Sequence, residues 1–434
     1  MKRSSKNRRG ARGKIRIGVV GVRRGQAIAR SAGPLLGIEL VALCDTWRQR
    51  LDEAGDQLGV TTYEDYDRFL EHDMDAVILT NYFHEHAPFA IKALGAGMHV
   101  MSETSACSTL AEAVALIEAV EKSQKTYMFA ENYPYMAFNQ EMRRLYRSGL
   151  IGDFKYGEGE YVHPMSTENL NLLAPGENHW RNWIPATYYC THALAPLMFI
   201  TDTWPVKVNG FIIPRDTRDP VHRNTAKLND PASMIALRMD NDAVVKLLQV
   251  SLRGEGIWVR VHGNRGLMEN LRGLGNQMLR IRREAFEKKR GEPVERIYSP
   301  EFPTKHAQAL KAGHGGGDFF TSHYFVEAIR SGKPPFLDVY RGVAMSIVGI
   351  LAYRSALDDS NSVVIPDLRK KSVRGRYRHD HWSADPTRRK KGNPWPSILG
   401  NVKPTTAGLA MARKTWRKMG YDGSGSSTVI RPGK

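Results

Sequence analysis

The sequence contains only three cysteines, Cys44, Cys107 and Cys190, and they lie far apart. Three scattered cysteines form neither a disulfide framework nor a CxxC metal site, so no metal site is expected. No run of 18 apolar residues occurs, which excludes a membrane-spanning helix. The apolar run behind the basic N-terminus, residues 15–20, is too short for a signal peptide. We therefore expect a cytoplasmic protein with reduced thiols.

Acidic residues are too few to balance the basic ones. The 434 residues include 63 Lys and Arg against 45 Asp and Glu, a formal net charge of +18, which taken alone indicates nucleic acid or another anionic partner. The excess is confined to the two ends, with +8 in residues 1–16 and +13 in residues 367–434, which leaves −3 for residues 17–366. We therefore interpret the ends as solvated extensions or an oligomer arm, with contact to nucleic acid or an anionic surface as the alternative.

Short β-rich runs alternate with helical stretches from residue 14 onward. Strands are predicted at residues 15–20, 39–45, 76–80, 99–102 and 126–130, and helices at 27–36, 47–58, 86–96 and 109–123. Alternation of this kind is typical of a parallel, doubly wound sheet.

The pattern changes after residue 153 to alternating segments broken by Gly, Asn and Asp. Strands are predicted at residues 153–162, 206–213, 233–239, 243–250, 257–262 and 266–270, with hairpin turns at 240–242 and 263–264. A helix is predicted from Asp318, interpreted as its N-cap, to Ser331, and an apolar helix follows at 340–357. The strands and hairpin turns between residues 153 and 270 predict an antiparallel sheet.

The predicted fold class is therefore α/β, an N-terminal Rossmann doubly wound parallel sheet, joined to an α+β domain with a large, mostly antiparallel open sheet. The predicted divisions are a basic N-terminal tail at 1–13, a Rossmann NAD-binding domain at 14–131, a substrate and oligomerisation domain at 132–366, and a basic C-terminal extension at 367–434. A short basic helix is predicted within the extension at 405–419.

A glycine turn follows the first predicted strand, where a dinucleotide's pyrophosphate meets a helix N-terminus. Gly21 and Gly25 flank the pair Arg23 and Arg24, and Arg23 stands where the full fingerprint has a second glycine. Asp45 ends the second predicted strand, where a carboxylate accepts hydrogen bonds from ribose hydroxyls and favours NAD over its 2′-phosphorylated form. The alternative is an ordinary βαβ turn without a ligand.

Two stretches near this turn, TNYFH at 80–84 and AIKALGAGMHVMSE at 90–103, resemble the Gfo/Idh/MocA oxidoreductase family. The resemblance extends over about residues 14–385. It implies a bound NAD, a sheet domain that carries substrate residues, and a homo-oligomer through that sheet. The cofactor residues that it implies, together with those of the glycine turn, are Gly21, Arg23, Arg24, Gly25, Asp45, Asn81, His84, Glu103 and Asn132.

One position departs from the ordinary sugar dehydrogenases of this family. They carry a lysine directly after the glutamate that corresponds to Glu103, and this lysine accepts the hydroxyl proton as the hydride leaves. The chain has Thr104-Ser105 instead. Plain dehydrogenase activity is therefore not the first expectation.

Five further motifs resemble one branch of the family, the NAD-dependent α-N-acetylgalactosaminidases. They are ENY at 131–133, GEYVH at 159–163, HWR at 179–181, YCTHALAP at 189–196 and GHGGGDF at 313–319. The resemblance implies a glycoside hydrolase that transiently oxidises the sugar at C3, removes a proton from C2, eliminates the glycosidic group, adds water and recycles NAD.

The same resemblance implies roles for individual side chains. Tyr161 is the expected base at C2, and a cationic neighbour such as Arg181 is needed because an unperturbed tyrosine has a pKa of about 10. His163 lies two residues further along the same strand face, and either it or His192 is expected to transfer the other protons. The substrate-binding residues that we expect are Arg181, Tyr189 and His314.

Two other functions remain open. A sugar or inositol dehydrogenase using NAD or NADP and a different base would share most of these motifs. A non-catalytic NAD-binding regulator would agree with Arg23 in the glycine turn and with the basic ends.

Overall fold

The computed structural model describes residues 13–25, 36–254, 256–273, 277–421 and 423. The strands of its first sheet are β1 (Ile15–Val20), β2 (Ile38–Cys44), β3 (Thr61–Tyr63), β4 (Ala76–Leu79), β5 (His99–Ser102) and β6 (Tyr127–Phe129). All of them are parallel, in the order β3-β2-β1-β4-β5-β6. Strand β4 is completely buried and rich in β-branched residues, as expected for a parallel sheet covered on both faces.

The helices of this first part are α1 (Arg48–Leu58), α2 (Tyr66–Leu70), α3 (His86–Gly95) and α4 (Leu110–Ser123). The doubly wound parallel sheet is confirmed, with strand ends within one residue or so of those predicted. Strand β3 and helix α2 were not predicted. The helix predicted at 27–36 lies outside the described residues except for Leu36.

The second sheet has nine strands. They are β7 (Phe154–Val162), β8 (Pro205–Ile213), β9 (Ala232–Met239), β10 (Val244–Val250), β11 (Ile257–Gly263), β12 (Gly266–Asn270), β13 (Leu279–Arg282), β14 (Glu295–Tyr298) and β15 (Val363–Val364). Their order is β14-β13-β12-β11-β7-β10-β9-β8-β15. Every pair is antiparallel except β7 with β10, which run parallel, so the mostly antiparallel sheet is confirmed. Both predicted hairpin turns are present, between β9 and β10 and between β11 and β12.

The helices of this second part pack against its sheet, against one another or against the first part of the chain. They are α5 (Ala137–Arg147), α6 (Thr167–Leu173), α7 (Thr191–Thr201), α8 (Pro220–Arg223), α9 (His306–Ala309), α10 (Gly317–Ser331), α11 (Val339–Leu357), α12 (Lys371–Arg374) and α13 (Thr406–Lys418). Single 3-10 turns occur at Phe83–Glu85, Tyr133–Tyr135, Trp180–Asn182, Ala186–Tyr189, His314–Gly316, Gly375–Tyr377 and Pro386–Arg388. Helix α7 packs on β7, and α11 packs on β8.

Two expectations for this part are wrong. The N-cap of α10 is Gly316, with a φ of 90°, and Asp318 lies inside the helix with its carboxylate directed to other partners. The extension from 367 to 421 is not a solvated tail, because it packs on the body. The indole N–H of Trp416 on α13, for example, donates to the carbonyl of Asn171 at 3.0 Å. Residues 1–12 and 424–434 lie outside the described residues.

The arrangement of the two sheets positions the site. The carboxyl ends of β1, β2 and β4 face the end of β7 and the start of α7 across one cavity. Among the described helices, none is long and apolar enough to cross a membrane.

Candidate functional site

A cavity of about 530 Å³ lies between the two sheets. Ligands of open α/β sheets bind at the carboxyl ends of the strands, which is where this cavity lies. The predicted site residues that line it are Gly21, Arg23, Arg24, Asp45, Asn81, Glu103, Asn132, Tyr161, His163, Arg181, Tyr189, His192 and His314. The structure therefore brings together residues from both parts of the chain.

The glycine turn after β1 is built by close packing. Gly21 has a φ of 96° and donates its N–H to the carbonyl of Cys44 at 2.9 Å. A Cβ atom at Gly21 would lie 2.5 Å from the Thr80 hydroxyl oxygen, so only glycine fits. Gly25 does not line the cavity, and a Cβ there would collide with Val19, so its role is packing at the turn.

Asp45 organises the same turn. Its carboxylate accepts the N–H of Val22 at 2.8 Å and that of Trp47 at 2.9 Å. Burial raises the pKa of Asp45 above its ordinary value, while these backbone N–H groups oppose the rise. Arg48 lies three residues after Asp45 in the sequence, and an arginine in the cavity would be able to bind the 2′-phosphate of NADP. It does not line the cavity, however, and lies within 4 Å of Asp52 and Glu64 instead. No argument for a 2′-phosphate site therefore comes from Arg48.

The two arginines of the turn have different environments. Arg24 donates to Glu103 at 2.9 Å and to both carboxylate oxygens of Asp318 at 2.8 and 3.0 Å, so it connects the turn to α10. Arg23 reaches across the cavity and donates to the carbonyl of Leu172, at the end of α6, at 3.2 Å. Its cation therefore stands at the mouth of the turn, where a pyrophosphate would need a positive charge.

The lining of this half of the cavity fits a dinucleotide. Three of its buried polar atoms have no hydrogen-bond partner within the described part of the chain: Trp47 Nε1, Asn81 Oδ1 and Asn132 Oδ1. Buried polar atoms are nearly always paired in proteins, so groups left unpaired around a cavity indicate a ligand that pairs them. The glycine turn and Asp45 supply the remaining contacts that NAD requires.

Tyr161 lies at the centre of an aromatic cluster on the other side of the cavity. Its ring centroid is 4.5 Å from that of His192, 5.5 Å from those of His163 and Tyr133, and 5.8 Å from that of Tyr189. Burial, with a smaller contribution from Tyr189, raises the pKa of Tyr161 well above its ordinary value. Arg181 acts in the opposite direction but does not overcome burial.

His192 is held by a buried carboxylate. Its Nδ1 lies 2.7 Å from Glu131 Oε1, and Glu131 is completely buried. This contact is satisfied when Nδ1 carries the proton, which leaves Nε2 as the free nitrogen of the ring. Burial lowers the pKa of His163, so that its imidazole is neutral near pH 7.

Stacked aromatic rings provide a platform for a sugar. The ring of Tyr189 is stacked with those of Tyr161 and Trp180, at interplanar angles of 14° and 9°. The Arg181 guanidinium lies 4.3 Å from the Trp180 ring centroid and donates to the Tyr189 hydroxyl at 3.3 Å. Aromatic faces and one fixed cation are a combination that recognises polar rings with an apolar face.

His314 is positioned by Asp318. The His314 Nδ1 atom lies 2.9 Å from the Asp318 carboxylate, which also accepts the side-chain N–H of Asn132 at 2.7 Å. Burial acts to raise the pKa of Asp318, but the hydrogen bonds and charges of His314 and Arg24 outweigh it and lower the pKa below its ordinary value. The carboxylate therefore joins residues of both parts of the chain.

Besides Gly25, one predicted site residue does not line the cavity. His84 does not line the cavity and packs against Phe83 and Trp183, and burial lowers its pKa to about 3. His86, two residues later, lines the cavity instead. The lining side chains that the sequence analysis gave no role include Trp47, Tyr82, Glu85, His86, Thr104 and His179. The sequence analysis also missed the buried acids Glu131 and Asp318, which hold His192 and His314.

Comparison with known proteins identifies the two parts of the chain. Residues 15–131 match the model of an oxidoreductase family with an NAD-binding Rossmann fold, and residues 223–377 match the C-terminal domain of glycosyl hydrolase 109. The chain is 26% identical over 406 residues to a glycosyl hydrolase family 109 protein of Shewanella sp. strain ANA-3, covering 84% of this chain and 86% of that protein. It is 25% identical, with the same coverage, to an alpha-N-acetylgalactosaminidase of Shewanella oneidensis.

Solved structures show the same fold. A levoglucosan dehydrogenase in complex with NADH and levoglucosan is 18% identical with a TM-score of 0.68, and the match covers 81% of this chain and all of that one. An oxidoreductase of Agrobacterium radiobacter in complex with NAD+, L-tartaric acid and magnesium is 16% identical with a TM-score of 0.64, covering 81% of this chain and 98% of that one.

Proposed function

We propose that this chain, which matches the model of an oxidoreductase family with an NAD-binding Rossmann fold at residues 15–131 and the C-terminal domain of glycosyl hydrolase 109 at residues 223–377, is an NAD-dependent glycoside hydrolase. One observation carries the proposal: Tyr161, His163 and His192 line the same cavity as the glycine turn and Asp45. Thr104, which stands in place of the dehydrogenase lysine, lines that cavity as well. The reaction comprises transient oxidation at sugar C3, loss of the C2 proton, elimination of the glycosidic group and addition of water.

The cofactor half of the cavity has defined tasks. The turn at Gly21 with Arg23 would hold the pyrophosphate, Asp45 would hold the ribose hydroxyls, and Asn81 and Asn132 would hold the nicotinamide end. NAD, when bound, supplies a reversible hydride acceptor. The protein supplies position, so the sugar ring must lie against the rings of the substrate half.

Tyr161 is the proposed base at C2. Its hydroxyl lies in the aromatic cluster beside His163 and His192, and Arg181 is the cation that favours its ionised form. A C3 ketone acidifies the C2 proton, so that a phenolate at this position is strong enough to remove it. Elimination then breaks the bond from C1 to the leaving group.

His192 and His163 are the proposed proton-transfer groups. Glu131 fixes the His192 ring through Nδ1, so the free nitrogen can exchange a proton with a sugar hydroxyl. His163 is neutral because burial lowers its pKa, and it can accept the proton that the attacking water loses. His314, held by Asp318, would bind the substrate at the cavity rim.

The decisive experiment incubates purified protein that contains NAD with an aryl glycoside panel in D2O. The panel includes an aryl α-N-acetylgalactosaminide because one relative carries that name. We expect sugar release, solvent deuterium at C2 and no net NADH. The Tyr161→Phe variant should lose about 10²–10⁴-fold in rate while keeping its fold, since a positioned general base contributes that much. Tyr156→Phe, on the same strand outside the cavity, is the matched control and should retain full activity.

A sugar dehydrogenase is the second candidate, because the structural neighbours include levoglucosan dehydrogenase. Stoichiometric NADH without sugar release would favour it over hydrolysis. Bound NAD with neither reaction would favour the non-catalytic regulator. A homo-oligomer through the nine-stranded sheet stays a prediction; exposed apolar residues on its strands, Phe211, Ile213 and Val244, support it, and sedimentation would test it.

A further inference from the structure

A second, smaller cavity adjoins the catalytic residues and contains side chains that the proposed mechanism does not use. Its volume is about 60 Å³, and it shares Tyr161, His163 and Arg181 with the main cavity. The loop between α8 and β9 adds Lys227, Asn229 and Asp230 to its lining. The small cavity is therefore a side pocket of the substrate half.

The loop that carries Lys227 is fixed against the segment that carries Arg181. The Lys227 ammonium donates to the carbonyl of Arg181 at 2.8 Å, and the Asn229 side-chain N–H donates to the carbonyl of Ile184. These contacts hold the Lys227 ammonium at the wall of the pocket. They also leave Asn229 Oδ1, a buried acceptor, without a partner among the described residues.

The pocket contains two cations and no available anion. Its only acid, Asp230, accepts hydrogen bonds from the Ser397 hydroxyl at 2.8 Å and from the backbone N–H groups of Ile398 and Arg215 at 2.9 and 3.0 Å. Both of its carboxylate oxygens are therefore engaged outside the pocket. Within the described ranges, neither Lys227 nor Arg181 forms an ion pair with any carboxylate.

A buried ammonium without an anionic partner costs free energy, and a bound anion removes that cost. Burial, with the nearby charges of Arg181 and Arg215, lowers the pKa of Lys227 to about 7. The neighbouring lining includes Leu170, Leu173 and Val250, and an apolar wall strengthens any charge interaction inside the pocket. A ligand that brings a negative charge removes this penalty.

We propose that the side pocket is a subsite for a carboxylate carried by the sugar, so that the substrates are glycosides of uronic-acid type. Lys227 and Arg181 bind the carboxylate, and Asn229 Oδ1 accepts a hydrogen bond from the hydroxyl beside it. A neutral acetamide would also accept hydrogen bonds from these cations, but it would leave both charges uncompensated. The inference that uronic-acid glycosides are cleaved rests on the proposed function. The inference that the pocket binds a uronate does not.

Binding is the first test. The NAD-containing protein is titrated with D-glucuronate and D-galacturonate and with the matched neutral hexoses by calorimetry. We expect each uronate to bind at least about 10-fold more tightly than its hexose, a difference of about 1.4 kcal/mol, because a hydrogen bond between charged groups is stronger than one to a neutral hydroxyl. Lys227→Met should remove this difference and Lys227→Arg should restore most of it. Lys207→Met, an exposed lysine on β8, is the control and should change nothing.

Kinetics are the second test. With aryl hexuronides and configurationally matched aryl hexosides, the ratio of their kcat/KM values should favour the uronide and should fall about 10-fold or more in Lys227→Met. Uronates that bind no better than hexoses, or that bind equally well to Lys227→Met, would overturn the subsite. Tighter binding of N-acetylhexosamines through Lys227 would overturn it as well. Lys227-dependent uronate binding without cleavage of any glycoside would refute the glycosidase and support the subsite.

Discussion

The acidity of Tyr161 is determined by opposing effects on one hydroxyl. Burial raises its pKa, Tyr189 adds to the rise, and Arg181 lowers it by less. The phenol is therefore protonated at neutral pH in the free protein. The rate of proton removal by such a base is limited by the fraction of the phenol that is ionised, rather than by the basicity of the phenolate.

The pH dependence of the reaction follows from that limit. The base form of an acid with a raised pKa appears only at higher pH, so kcat/KM should rise with pH from about 6 to 9, approaching a tenfold increase per pH unit. His163 adds no limit above neutrality, because burial lowers its pKa and its ring is neutral there. Initial rates across the range measure the slope. With a neutral aryl glycoside, whose binding does not depend on the charge of Lys227, a bell-shaped profile centred near neutrality would contradict Tyr161 as the base.

Asp318 is predicted to matter for stability as well as for the site. Asp318→Asn leaves the Arg24 guanidinium with Glu103 as its remaining carboxylate partner. Glu103 still compensates the Arg24 cation, whose side chain is 31% exposed, so we expect a loss of about 1–3 kcal/mol in the free energy of unfolding, and the affinity for NAD should fall with it. Denaturant unfolding and cofactor titration measure both. Asp216→Asn, which breaks a fully exposed pair with Arg218, is the control and should leave the stability nearly unchanged; an equal loss in both variants would refute the prediction.

The sequence motifs predicted which residues meet, but not how they are oriented. Thirteen of the predicted site residues line the cavity, because the motifs follow strand ends and turns that the fold brings together. The support of His192 by Glu131 spans 61 positions, and that of Arg24 by Asp318 spans 294, so spacing gives no sign of either. Likewise, both His84 and His86 lie at one turn, and only packing decides that His86 faces the cavity.

At the scale of elements, strands that carry a strong apolar pattern were predictable and their partners were not. Strand β5 has the predicted ends, and three of its four residues, from Val100 to Ser102, form one buried run. The short strands β3, β13 and β14 have three or four residues each, which is too few for an alternating pattern to be recognised in the sequence. The parallel pairing of β7 with β10 depends on the path of the chain between them, which no local pattern records.

The turn after β1 gives a prediction for a single element. Gly21→Ala would place a Cβ 2.5 Å from the Thr80 hydroxyl and 2.8 Å from its carbonyl oxygen, so β1 and β4 must separate. Gly97→Ala is the matched control, because Gly97 has a φ of 85° but open space around its Cβ position. Both variants should lose about 1 kcal/mol from backbone strain, and Gly21→Ala should lose 1–3 kcal/mol more together with NAD binding. Thermal unfolding and cofactor titration compare them, and equal losses would show that the close approach is unimportant.

At the scale of the whole molecule, the positive charge of the C-terminal extension is partly used within the fold. Arg374 donates to both carboxylate oxygens of Glu121 at 2.7 and 2.8 Å, and Arg378 pairs with Glu118 in the same helix, α4. The count of charges along the sequence separated a basic extension from a mildly acidic body, and the structure joins them. Composition could not show this, because complementary charge predicts neither docking nor its place.

The docked extension should help to retain the cofactor. Helix α13 packs on α6, whose end at Leu173 lines the cavity, and the ring of Tyr421 meets that of Trp47 at a centroid distance of 5.3 Å. The extension thus connects the two walls of the dinucleotide site. Trp416→Ala deletes the buried side chain that anchors α13 on α6, and loss of a buried tryptophan costs about 3–5 kcal/mol.

We therefore expect Trp416→Ala to release NAD at least about 10-fold faster than the parent protein, because undocking of α13 opens one wall of the site. Stopped-flow displacement of NADH fluorescence measures the rate. Met411→Ala, an exposed position on the same helix, is the control and should leave the rate unchanged. If Trp416→Ala lowers the stability of the extension to proteolysis but leaves NADH release unchanged, then α13 packs on the site without closing it.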